Sequence, residues 1–150
     1  MVDSLEQLIT DSLMDTRLDY AFDFLGIAIN TKESNQKVIK WKYVSGNRNN
    51  RYQKIVLQVG KGFAGIVWKT ARPMIVTNFK EELAGPLEEF PIAITENLAS
   101  LIAVPVLSEQ EVIAVLVGGY RKVTEMDDSL MHVLNKTANG LVATIIELKK

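Results

Sequence analysis

The stretch Gly60-Lys61-Gly62-Phe63-Ala64-Gly65, in the middle of the chain, constrains the fold more than any other feature. A β-like run, residues 54–59, leads into it, and a short helix opens near Phe63 and is stopped by Pro73. Glycines at this spacing let a backbone turn sharply and approach whatever lies above it. The first N–H groups of the helix that follows have no intrahelical partner, so they face outward as donors. Such a helix start can receive an anion without any charged side chain. The spacing is formally that of a dinucleotide fingerprint, which requires the motif near the first strand, a full crossover helix and a parallel second strand. Here the motif sits mid-chain, its helix has only about two turns, and the next apolar run reads as antiparallel. Glu81 and Glu82 fall in a loop rather than at a strand end. A kinase-type phosphate loop is set aside as well, because no catalytic Asp or metal-binding motif follows.

Around this centre the hydrophobic periodicity predicts a regular order. Residues 4–19 read as a helix, capped by Asp3 or Ser4, with Leu5, Leu8, Ile9 and Leu13 at helical spacing. Residues 22–31 read as a strand with Leu25, Ile27 and Ile29 on one face, and residues 32–36 as a polar turn. Residues 38–44 alternate, with Ile39, Trp41 and Tyr43 pointing one way and Lys40 and Lys42 the other, which makes a hairpin with the preceding strand. Residues 45–51 form a loop, where Arg48 and Arg51 are solvated or serve an anion. Residues 74–77 are a short strand, and residues 78–97 are irregular, broken by Gly85, Pro86 and Pro91. A loop of that length in a compact domain tends to be functional. Residues 98–107 and 111–121 are nearly continuous apolar runs, as strands covered on both faces should be. The last helix begins at Thr124-Glu125-Met126-Asp127. Its stripe of Leu130, Leu134, Ala138, Leu141, Ile145 and Leu148 is broad enough to bury against the sheet and a second helix, either the first helix or that of another copy.

Composition removes whole classes of chemistry. Residues 1–150 suffice for a single domain with its own core. Zero cysteines exclude thiol catalysis, disulfide scaffolds and iron–sulfur clusters. One histidine leaves little room for zinc or imidazole chemistry, and His132 lies opposite the apolar stripe of the last helix, as a solvated residue would. A net charge of −1 with no basic face argues against nucleic acid as a partner. No apolar run reaches transmembrane length and the N-terminus carries no basic-then-apolar signal, so a cytoplasmic protein is expected. Asp23, Glu96 and Glu111 are scattered acids without a partner base, so the chain is not expected to be an enzyme.

The order helix, two strands, glycine motif with short helix, strand, long loop, two strong strands and long helix resembles the GAF domain family over nearly the whole chain. Residues 60–73, including Thr70-Ala71-Arg72-Pro73, and residues 100–106 with 112–116 carry the resemblance most specifically. It implies an α+β fold: a central antiparallel sheet, the N- and C-terminal helices on one face, and a ligand pocket on the other. The cysteine-dependent activities of that family, sulfoxide reduction and bilin attachment, have no residue here to carry them.

The length, Lys40-Trp41-Lys42-Tyr43-Val44-Ser45-Gly46-Asn47, and Arg51-Tyr52 are similar to the single-domain nitrate receptors of the family. Those accompany an oxygen-sensing histidine kinase in firmicute bacteria. The resemblance implies nitrate held in an uncharged pocket by backbone amides, ringed by apolar and aromatic side chains. By position, Phe63 and Ala64 would supply the amides, Trp41 and Tyr52 would line the pocket, and Pro91, Ile92, Ile94 and Leu101 would close it. Burying an anion without a counter-ion is costly, and Arg51 is the nearby cation expected to relieve that cost. The function this implies is a cytoplasmic nitrate sensor that modulates a sensor histidine kinase controlling nitrate/nitrite respiration genes. Nitrate is its ligand, and no cofactor or metal, nucleic acid or membrane is expected. The alternative is a GAF module for another small molecule, such as a cyclic nucleotide or a metabolite. In the blander reading, Trp41, Tyr43, Tyr52 and Phe63 are simply core. Pairing of two copies through the terminal helices stays open.

Overall fold

The computed structural model describes residues 2–33, 36–82 and 87–150. The chain opens with helix α1 (Val2–Asp19) and a hairpin of β1 (Phe24–Glu33) and β2 (Gln36–Ser45). A 3-10 turn (Arg51–Lys54) precedes the glycine segment and helix α2 (Gly62–Thr70). Strand β3 (Met74–Val76), helix α3 (Phe79–Glu82), a second 3-10 turn (Leu87–Glu89) and helix α4 (Pro91–Glu96) follow. Strands β4 (Ser100–Ser108) and β5 (Glu111–Tyr120) lead to the long helix α5 (Asp128–Leu148).

The strands form one sheet in the order β2-β1-β5-β4-β3, and every neighbouring pair is antiparallel. Helices α1 and α5 pack on each other and on one face. Helix α2 covers the other face over β4 and β5. The central strands are apolar at every step because both faces are covered. Leu101 and Ala103 of β4 join the cluster under α2, while Ile102, Val104 and Val106 join the cluster under α1 and α5.

Several local expectations are corrected. The alternation of Ile39, Trp41 and Tyr43 does not hold, because the β1–β2 ladder slips between Ile27 and Ala28. Ile27 pairs with Tyr43 and Ala28 with Trp41, so Lys42 is the extra residue of a bulge. The slip sends Ile39 and Trp41 to the α2 face and Tyr43 to the α1/α5 face. On α1, Ile9 and Leu13 are fully buried but Leu8 is exposed. The irregular stretch holds α3, a 3-10 turn and α4, each too short to register as a period. Helix α2 ends before Pro73, at Ala71, whose φ of 56° turns the chain out of the helix. Helix α5 starts later than expected: Asp127 is its cap, and its carboxylate accepts from Leu130 N–H at 3.0 Å. A bond from the Ser129 hydroxyl, and after it the one from Leu130 N–H, hold the Asp127 carboxyl below the usual range. Ser34 and Asn35 of the expected polar turn, and the breakers Gly85 and Pro86, lie outside the described residues.

Candidate ligand-binding site

The face under α2 gathers side chains from all five strands, from the 3-10 turn after β2 and from the short helices. Up to the bulge, β2 delivers Ile39 and Trp41 into this cluster. The chain then loops through the 3-10 turn, where Tyr52 is buried, and returns along β2 as a bridge between Ile39 and Leu57. Ile39 N–H donates to Leu57 O at 2.8 Å, and Leu57 N–H donates to Ile39 O at 2.9 Å. That bridge partly covers the outer edge of the sheet and aims the chain at the glycine segment.

The glycine turn closes on itself. Lys61 N–H donates to Gln58 O at 3.0 Å, and Gly60 N–H donates to Gly65 O at 2.8 Å. A Cβ on Gly65 would lie 2.4 Å from Gln58 O, so this position admits only glycine. The close approach expected of the third glycine is therefore made to the chain's own turn. Lys61 stands at the N-cap in extended conformation and its side chain caps nothing. Gly62, Phe63 and Ala64 thus open the helix with N–H groups that have no intrahelical acceptor, and all three residues are buried.

Aromatic rings fill the surroundings. The Phe63 ring lies 4.5 Å from that of Phe90 and 5.1 Å, edge to face, from that of Phe79. Phe90 is the N-cap of α4, with Pro91 in the first turn, and Ile92 of that helix is 2% exposed. Trp41 is 2% exposed, and its indole N–H finds no acceptor among the described residues. A buried donor without a partner forfeits its hydration, at a cost of about 1–3 kcal/mol.

Of the nine residues expected at the site, Trp41, Tyr52, Phe63, Ala64, Ile92 and Leu101 share this one buried cluster. Pro91 is half-buried at its edge. Two do not join it. Arg51 is exposed on the 3-10 turn, its N–H donating to Asn49 Oδ1 at 2.9 Å. Ile94 is 48% exposed, in a groove of about 470 Å3 that also includes Asn78, Asn97 and Arg121. A smaller groove of about 290 Å3 runs from Gly60 and Gly62 to Pro91. Glu88 and Glu89 line it beside Lys61, so its lining does not favour an anion. His132 is exposed on α5.

The residues missed from the sequence are Phe79, Phe90 and a charged group at the end of α4. Asp23 and Glu96 are not isolated, since Arg121 joins them. Arg121 Nη2 donates to Glu96 Oε1 at 2.8 Å, and Arg121 N–H donates to Asp23 Oδ2 at 2.7 Å. Glu96 is fully buried. No local spacing could reveal a pair 25 residues apart. Phe90-Pro91 did carry a helix-start signal.

Comparison with known proteins bears on this arrangement. A family model described as the GAF domain matches residues 2–146. A solved structure of NreA from Staphylococcus aureus, mutated in its nitrate binding site, aligns with a TM-score of 0.79 and 33% identity, covering 85% of this chain and 96% of that one. Free methionine-R-sulfoxide reductase from Neisseria meningitidis, solved with its substrate, aligns with a TM-score of 0.70 over 99% of this chain and 87% of its own. At 18% identity that is a likeness of fold alone. The HTH-type transcriptional activator RamA of Corynebacterium glutamicum is 29% identical over 96 residues, 64% of this chain. The chain spans only 34% of that curated relative's length.

Proposed function

The chain belongs to the GAF domain family, and from that premise we propose that it is a nitrate-binding sensor that modulates a histidine kinase. The observation that carries this reading is the unpartnered indole N–H of Trp41, buried in the same apolar cluster as the uncapped start of α2. The indole N–H has no acceptor and the helix start no side-chain cap among the described residues, and neither belongs to a cationic side chain. Nitrate is flat, delocalised and weakly hydrated, so a few fixed N–H donors can replace its water. The likeness to NreA, a protein with a nitrate binding site, supports the same ligand.

Trp41, Tyr52, Phe63, Ala64, Ile92 and Leu101 form the cup in this reading, with Pro91 at its edge. Arg51 and Ile94 stand outside the buried cluster. Their part in binding would be long-range charge for Arg51 and closure from outside for Ile94. The protein acts in the cytoplasm, as a receptor rather than an enzyme, without a cofactor. Four heavy atoms at a ceiling of about −1.5 kcal/mol each give roughly −6 kcal/mol, a dissociation constant of tens of micromolar.

Thermal unfolding in a panel of sodium salts tests the ligand. Nitrate in the millimolar range is expected to raise the melting temperature, with chloride and sulfate inert. The variant Ala64→Pro removes one amide donor in the first helical turn, where proline is tolerated. It is expected to fold and to lose the nitrate response. A folded Ala64→Pro protein with an unchanged nitrate titration would defeat the assignment of that amide. Kinase autophosphorylation with and without the protein and nitrate tests the partner.

A second reading, a GAF module for a larger metabolite or cyclic nucleotide, has one feature in its favour. The groove beside Ile94, about 470 Å3, is of a size for such a ligand and includes Asn78, Asn97 and Arg121. Stabilisation by a cyclic nucleotide but not by nitrate would select it.

A further inference from the structure

We propose that Glu96 is a positioning residue for the ligand cup, holding α4 against the segment that carries Trp41 and Tyr52 through its ion pair with Arg121. The inference deepens the sensor reading and rests on it for the ligand.

Helix α4 has six residues, too few to hold a helix in water without tertiary contacts. Its last residue, Glu96, is an acid at the negative end of the helix, where the dipole disfavours it. The carboxylate therefore does nothing for its own helix, and its partners all lie elsewhere. Glu96 Oε1 accepts from Arg121 Nη2 at 2.8 Å and from Arg48 N–H at 2.8 Å. Arg121 Nε donates to Glu96 O at 2.9 Å, and Arg121 Nη2 also donates to Gly46 O at 3.0 Å. Gly46, at φ 81°, passes so close to Asp23 O that a Cβ would lie 2.2 Å from it. The loop after β2 is thus seated on the start of β1 and on the guanidinium together.

These bonds join the C-terminal end of α4 to the loop between β2 and the 3-10 turn. Trp41 lies upstream of that loop and Tyr52 downstream, while α4 carries Pro91 and Ile92. The two halves of the cup come from segments distant in sequence, and the buried carboxylate of Glu96, paired with the part-exposed Arg121, is a polar link between them. Glu96 Oε2 has no partner among the described residues. A buried carboxylate with one oxygen unsatisfied contributes little net stability, so stability is a poor reason for its presence. What it supplies is position.

The test uses the full chain and the variant Glu96→Gln, whose amide oxygen can still accept while the charge is gone. Amide hydrogen exchange without nitrate is expected to quicken at least about tenfold in α4 and the 3-10 turn, with β4 and β5 unchanged. Nitrate affinity in the same variant is expected to fall about tenfold, through faster dissociation. In a second variant, Glu96→Leu with Arg121→Met, apolar groups replace the pair. It is expected to keep the fold and still bind nitrate weakly. Native exchange in α4 and native affinity in Glu96→Gln would overturn the proposal, as would native affinity in the double variant. Faster α4 exchange in Glu96→Gln, alongside a native protein that ignores nitrate, would sustain the positioning role and overturn the sensor reading instead.

Discussion

Helix α5 runs 21 residues across one face of the sheet, whereas α2, on the other face, has nine and its neighbours α3 and α4 have four and six. A long amphipathic helix can propagate and lock in place by aliphatic interdigitation, here of Ile9 and Leu13 with Leu134, Ala138 and Leu141. Short helices cannot, and they owe their position to what they touch. The caps differ in the same sense. Asp127 satisfies a first-turn donor of α5, while α2 begins at Lys61 with no side-chain cap. The long-helix face is built for stability, and the short-helix face leaves α2 without a side-chain cap and the Trp41 indole N–H without an acceptor among the described residues. Regions of lower local stability are where ligand response is generally found.

The largest effect expected to break this contrast comes from a matched pair of core truncations. Leu134 and Ile92 are 0% and 2% exposed, one on each face. Leu134→Ala leaves a cavity in a rigid layer, and a loss of about 4 kcal/mol in chemical denaturation is expected. Ile92→Ala sits under a six-residue helix that can settle into the space, and a loss of about 2 kcal/mol is expected. Equal losses would mean that the two faces are equally rigid.

A smaller effect of opposite sign tests the missing cap. Lys61→Asp places a carboxylate where it can accept from the N–H of Phe63 or Ala64 and meet the helix dipole. A gain of about 1 kcal/mol is expected for the unliganded protein. The nitrate response is expected to vanish, since the new carboxylate competes for the same donors. Stabilisation with nitrate binding intact would place the ligand elsewhere.

The same contrast governs what could be read from the sequence. The long-helix face was legible: Leu134, Ala138, Leu141 and Ile145 recur at helical spacing, and all four are buried. The apolar runs of β4 and β5 likewise announced strands covered on both sides. On the other face, Trp41, Phe63, Ala64 and Leu101, assigned by position from the family resemblance, share one buried cluster. Three things had no periodic signal. The bulge at Lys42 inverts Tyr43 within an otherwise regular alternation. Helices of four and six residues are shorter than the periods that would reveal them. The pairing of Glu96 with Arg121 depends on the end of α4 meeting the end of β5 in space. Arg51 and Ile94 were placed at the site by position along the chain, and burial is what sets them apart from the rest.

The smallest effect concerns Tyr43, the residue that the bulge moves from one face to the other. Its hydroxyl donates to Glu6 Oε2 at 2.8 Å on α1. Burial first, and then the bond to and negative charge of Glu6, hold the phenol well above its ordinary range. The folded chain therefore keeps this proton more tightly than the unfolded chain does. The resulting stability is complete below the unfolded value of about 10 and falls as pH rises from there towards the folded one. Tyr43→Phe removes both the bond and its titration. At neutral pH the variant is expected to be less stable by about 1 kcal/mol. Above a pH of about 10 its unfolding curve should approach that of the native protein, whose advantage is being lost. Nitrate affinity should not move, because Tyr43 lies across the sheet from the cup. A shifted affinity in Tyr43→Phe would show that β2 transmits strain through its bulge, and that the two faces do not act separately.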